Sequence, residues 1–251
     1  MSFGIKSKNR NKNRNRSRNR KKSNKERKEK GKSMAPILRP EHHRLTQKER
    51  LHSLPVPILA ITGNIGSGKS TVTALLKEKY AISSLNADTL IKKLYEKEEV
   101  LEKLWKHFPS YFSPQKSLDF SKLRHIFFAP ENKEKKEELE QILYSFLPKI
   151  FLEEYEKLEA PQYLFYDIPL LFEKKLNPLV DRIVLVFSSQ QKLLERAKTR
   201  DNVPLDIIEQ ILTQQLSPEI KRPLSDFIVE NEGTLEDLQN QIVSLGKFLF
   251  L

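Results

Sequence analysis

The chain has 251 residues, 38% of them hydrophobic, enough for the core of one ordinary domain with room for a small subdomain or lid. Its net charge of +12 is lopsided: residues 1–33 hold fifteen Lys and Arg against two Glu, a balance of +13, so the remainder is close to neutral. The absence of cysteine excludes disulfides, thiolate metal sites and thiol nucleophiles, and no apolar run approaches the roughly 18–20 residues of a membrane helix. The amino end is charged with no apolar segment behind it, which is not the pattern of a secretory signal. The expected location is cytoplasmic, with no membrane partner.

Residues 1–35 are dominated by Lys, Arg, Asn and Ser. They offer little to bury against the cost of chain entropy and are expected to form a disordered basic tail. Three readings of that tail stand side by side. It could bind nucleic acid or an acidic surface by counterion release, it could be a solvated extension without a task, or it could be left untranslated, since Met34 is an alternative start. Residues 36–55 carry Pro36, Pro40 and Pro55 as punctuation and read as a linker. The folded domain is expected over 56–251.

Val56–Thr62 is a short apolar run that breaks at Gly63, and Val72, Leu75 and Leu76 then recur at helical spacing. Between strand and helix lies Gly63-Asn64-Ile65-Gly66-Ser67-Gly68-Lys69-Ser70, which fits G-x-x-x-x-G-K-[ST] at every fixed position. Glycines let such a backbone curl so that its N–H groups face inward, and the positive end of the next helix adds to the attraction for a triphosphate. Lys69 is placed to reach the β- and γ-phosphates of ATP, Ser70 offers a hard oxygen to Mg²⁺, and Thr71 falls beside the α-phosphate. The fold class that follows is P-loop α/β: a parallel five-stranded sheet flanked by helices, with the site at its carboxyl edge.

Further strands are expected at Ile82–Leu85, Tyr163–Tyr166, Ile183–Phe187 and Phe227–Val229. The region 89–158 between the second and third is mostly helical, where small-molecule kinases of this class insert their acceptor-binding part. Its longest helix, around 131–158, is expected to break or kink at Pro148. Helices are also expected at 188–199, with Ser188 or Ser189 as N-cap, and near 204–216 and 234–249.

Asp88 follows the second strand and could take the proton of an attacking hydroxyl, or else cap the helix that begins there. Asp167 ends the third strand and could hold Mg²⁺ through water, or cap the turn after it. Arg196 and Arg200 lie four apart on one helical face and could swing over the γ-phosphate as part of a lid spanning about 196–222, or form a solvated basic face.

Together these segments resemble dephospho-coenzyme A kinases. The resemblance rests on Thr62–Thr71, on Asn86-Ala87-Asp88, on Ile168-Pro169-Leu170-Leu171-Phe172-Glu173, and on Arg196 to Arg200-Asp201 followed by Ile211, Gln214 and Gln215. It ends with Glu219-Ile220-Lys221, Ser225-Asp226 and Ile228 to Gly233, and runs from about 57 to 247. It implies ATP-dependent phosphorylation of the ribose 3′-hydroxyl of dephospho-coenzyme A. Asp88 would then be the base or orienting group, Arg200 would cover the transferred group, and Asn231 and Gly233 would lie by the adenine. Three departures fall in the acceptor half. Asn86 stands where the family has Asp, Pro114–Phe120 lacks the family's Arg, and Tyr144–Pro148 lacks its His.

Two other functions remain as alternatives: a kinase of this fold with a different small-molecule or nucleotide acceptor, and a nucleic-acid-associated ATPase that docks through the basic tail. The near-neutral balance beyond the tail weighs against the second. The expected assembly is a monomer or weak homo-oligomer.

Overall fold

The computed structural model describes residues 36–128, 132–199 and 205–250. The basic tail and Arg200 lie outside them. Five parallel strands form the sheet: β1 Ile58–Thr62, β2 Ser84–Asn86, β3 Leu164–Asp167, β4 Arg182–Phe187 and β5 Phe227–Glu230, in the order β2-β3-β1-β4-β5. The chain leaves β1 for the far edge, returns through β3, then crosses β1 to build the other side. The order therefore reverses at β1, which opens a crevice at its carboxyl end.

Helix α1 (Lys69–Tyr80) follows β1 directly. Between β2 and β3 lie α2 (Ala87–Leu94), α3 (Glu98–His107), α4 (Phe120–Phe128) and α5 (Lys133–Glu156). Between β4 and β5 come α6 (Gln190–Thr199), α7 (Leu205–Thr213) and the short α8 (Pro218–Lys221), and α9 (Leu235–Leu249) follows β5.

Strand β1 shows why its sequence reads as an unbroken apolar run. All five of its residues are buried. Ile58 and Ala60 face a core built with Leu90, Leu143 and Phe151 of the helical insertion. Leu59 and Ile61 face the opposite core, with Val72 and Leu76 of α1 and Leu238 and Ile242 of α9. Successive side chains alternate between the faces, and both faces are covered.

Three expectations are corrected. The second strand begins at Ser84 rather than Ile82. As an edge strand it pairs with β3 alone and is only half-buried, so its apolar signal is weak. Of the break or kink expected at Pro148, the break does not occur, since helix α5 is continuous through it. Losing one backbone donor costs a helix about 3 kcal/mol, and burial of Leu139, Ile142, Leu143, Ile150 and Phe151 on the same helix outweighs it.

The third correction concerns 36–55, which is part of the folded unit and not a linker. Leu51 and Leu54 enter the core beneath β1. Leu38 bridges to Phe250, while Arg39 donates to the carbonyls of Lys247 and Phe250. The His42 ring bonds the Phe248 carbonyl, and among the described residues no His, Asp or Glu cluster of metal-binding type occurs.

Asp181, 0% exposed, closes this arrangement. Its Oδ1 accepts from the amides of Arg44 (3.0 Å) and Leu45 (2.9 Å), and its Oδ2 accepts from Arg50 Nε (2.7 Å) and Ile58 N (2.8 Å). Burial alone pushes this carboxyl up, but Arg50 and the amides outweigh it and hold the group below its usual range. Folding therefore favours the ionised form. Its contribution is fully present above about pH 4, the ordinary aspartate value, and is lost as pH falls through the lowered folded value. Asp181→Ala leaves Arg50 buried without its partner and is expected to cost about 3–5 kcal/mol at neutral pH. In urea melts, the gap between variant and parent should narrow toward pH 3. A gap below about 1 kcal/mol at neutral pH would contradict this assignment.

Candidate active site

The glycine loop leaves β1 at its carboxyl end and runs into α1. Gly63 has φ +153°, and a Cβ there would sit 2.5 Å from the Val186 carbonyl of the neighbouring strand. Gly68, at φ +89°, is left-handed at the start of α1, where a Cβ would collide with the Asn231 side chain. Both positions need glycine for space as well as for backbone angle. The Lys69 ammonium reaches back across the loop to the Gly63 carbonyl at 3.0 Å.

The loop forms one wall of a cleft of about 390 Å³ through Asn64, Ile65, Gly66, Gly68, Lys69 and Ser70. Asn86, Asp88 and Asp167 line the facing side, and Pro169, Leu170, Ile211, Gln214 and Gln215 complete it. Asp167 comes to this place by register, paired with Ile61 one residue before β1 ends. Only 6% of it is exposed. Its Oδ2 accepts from Asn86 Nδ2 at 3.0 Å, whereas Oδ1 is buried with no hydrogen-bond donor. Burial pushes its pKa up, the Lys69 charge and the Asn86 hydrogen bond pull it back, and Asp88 pushes it up further. A desolvated carboxylate with an unmatched oxygen, beside a serine hydroxyl on the same cleft, fits a hydrated divalent cation.

Asp88 sits in the first turn of α2 and is exposed. It does not cap the helix. That task belongs to Asn86, whose Oδ1 accepts from Thr89 N at 2.8 Å. Asn86 thus both caps α2 and donates to Asp167. An aspartate at 86 could cap but could not donate. Asparagine at this position therefore adds no charge to the cleft and gives Asp167 a hold.

Other expected residues stand further back. Asn231 is turned to the rear of the loop, its Nδ2 donating to the Ser67 carbonyl at 2.9 Å. Arg196 donates to Ser188 Oγ at 3.0 Å and, more loosely, to Asn231 Oδ1 at 3.4 Å, and lines no part of the cleft. These two brace the loop from behind. Gly233 lies beside the Thr234–Asp237 capping box of α9, and Thr71 is exposed in the first turn of α1; neither is among the residues that line this cleft. Gln215 takes a place on the cleft wall that chemistry alone did not single out in the sequence. A polar pair closing the α7 pattern, Gln214-Gln215, was the available signal.

A family model described as dephospho-CoA kinase (CoaE) matches residues 57–237. A dephospho-CoA kinase of Fusobacterium nucleatum is 34% identical over 192 residues, covering 75% of this chain and 96% of that protein. One of Helicobacter pylori is 35% identical over 195 residues, covering 76% and 96%. Among solved structures, the crystal structure of TT1252 from Thermus thermophilus superposes with a TM-score of 0.66 at 32% identity, covering 76% of this chain and 96% of that one. A dephospho-CoA kinase from Campylobacter jejuni gives 0.55 at 26%, covering 76% and 95%. A family model that matches most of the chain, and relatives more than 30% identical along three quarters of it, show that this chain belongs to the dephospho-CoA kinase family.

Proposed function

We propose that the cleft transfers the γ-phosphoryl group of ATP to the ribose 3′-hydroxyl of dephospho-coenzyme A, with Asp88 serving the hydroxyl. One observation carries this reading: the loop lysine, an uncommitted exposed carboxylate and a buried carboxylate with a spare oxygen line the same cleft. The bond from the γ-phosphorus to the bridging oxygen of ADP breaks, the bond to the ribose oxygen forms, and the hydroxyl proton passes to Asp88. Lys69 lies along the β- and γ-phosphates and answers the charge that shifts toward ADP. Ser70 and, through water, Asp167 would hold Mg²⁺, which when bound offsets charge on the phosphate oxygens. Arg200 is proposed as the cover over the transferred group. The proposed setting is cytoplasmic and the proposed assembly a monomer or weak homo-oligomer. No helix among the described residues is long and apolar enough to cross a membrane.

The test is a coupled assay on the full chain with MgATP. Coenzyme A and ADP should form in equal amounts from dephospho-coenzyme A. Turnover of a nucleoside monophosphate instead would overturn the acceptor. ATP hydrolysis that rises on adding RNA or DNA, and falls steeply with salt, would favour the nucleic-acid alternative.

A further inference from the structure

The phosphate-binding loop is not held by its own backbone alone. Residues 64–67 close a turn in which Ser67 N donates to the Asn64 carbonyl at 3.0 Å. Such a turn leaves the amide of its second residue without an internal acceptor. Here Gln215 Oε1 takes the Ile65 amide at 3.0 Å. One residue on, the Leu216 carbonyl accepts from Asn64 Nδ2 at 2.9 Å, so two adjacent loop residues are tied to two adjacent residues past α7.

The segment carrying Gln215 is itself fixed. The Leu216 amide donates to Glu173 Oε1 at 2.8 Å, and Lys221 Nζ lies 2.9 Å from the same oxygen. Lys221 is 0% exposed. A lysine is buried that far only against a strong counter-charge. The Glu173–Lys221 pair thus anchors the path of 214–217 from beneath, and Gln215 carries that anchor to the loop.

We propose that Gln215 is a positioning residue for the phosphate-binding loop. It acts through the Ile65 amide and is held in register by the buried Glu173–Lys221 pair. The proposal rests on the assignment of the 63–70 loop to ATP phosphates. Loop amides bind phosphate well only if they already point inward, since ordering them on binding costs affinity. Without Gln215 the Ile65 amide loses its acceptor and the apex of the loop can rotate away. The loss falls on ATP binding more than on the transfer step, because bound phosphates themselves reorder the loop.

The experiment compares Gln215→Met, Gln215→Glu and Lys69→Met in the full chain. Steady-state kinetics, direct ATP binding and amide hydrogen exchange at Ile65 are the readouts. Gln215→Met keeps the volume and removes the acceptor. It should raise the KM and Kd for ATP about tenfold, as expected for the loss of one part-buried hydrogen bond worth about 1.4 kcal/mol, with kcat within about twofold and faster exchange at Ile65. Gln215→Glu still accepts from the amide and should keep Ile65 protected, a rescue that a general loss of stability would not give. If Lys69→Met loses ATP while Gln215→Met keeps parental KM and exchange, the positioning role is wrong and the loop assignment stands. If Lys69→Met binds ATP normally, the loop assignment itself is wrong. A fall in kcat alone, with KM unchanged, would also overturn the proposal.

Discussion

Asp88→Asn is expected to lower kcat by about 10²–10⁴, the usual contribution of a positioned general base, while ATP affinity and thermal stability stay close to the parent. The structure separates these effects because Asp88 holds nothing up. The helix cap that could have explained an acid here is supplied by Asn86 through Thr89 N. The Asp88 side chain stands exposed on the cleft. Asparagine matches its shape and can still orient a hydroxyl, but it cannot take the proton. Its charge matters to the neighbours as well: Asp88 is among the causes that push Asp167 and Tyr166 up. Coupled kinetics together with ATP titration calorimetry check the prediction. A near-normal kcat would remove Asp88 from the reaction, and a matching loss of ATP affinity would make it a binding group.

The parts of the molecule that could be read from the sequence are those whose chemistry is local. The loop was legible because glycine at fixed offsets, a lysine and a hydroxyl are demanded by a phosphate whatever surrounds them. Strands β1, β3 and β4 were legible because burial on both faces makes each a continuous apolar run. Strand β2 starts two residues later than expected because only one side of it is paired and its apolar signal is weak.

What stayed hidden depends on partners far along the chain. Residues 36–55 look like a linker because their prolines and charges are local signals. Arg50 becomes a core residue only through Asp181, 131 positions later. Asn231 is a loop brace only because β5 delivers it behind Ser67, 164 positions away. Gln215 likewise acquires a purpose only where the chain past α7 crosses the loop. A lone polar residue in a sequence gives no hint of such a contact, while an aspartate ending a strand does.

Lys69→Met should reduce kcat/KM for ATP on the order of 10³, as when a preorganised donor is withdrawn from developing phosphate charge. Its ammonium bonds the Gly63 carbonyl at 3.0 Å and is the first cause that pulls Asp167 back toward ionisation. Methionine keeps the length and the apolar stem but supplies neither charge nor donor. The loop itself should survive, because Gly63 and Gly68 fix its path through space that no Cβ can occupy and Asn231 braces it from behind. The loss should therefore grow with the number of phosphates on the ligand: smallest for AMP, larger for ADP, largest for ATP. Lys69→Arg should recover little, since a planar guanidinium cannot replace a compact ammonium folded back against a carbonyl. Equal losses for AMP and ATP would show a collapsed loop, and undiminished turnover would place the triphosphate elsewhere.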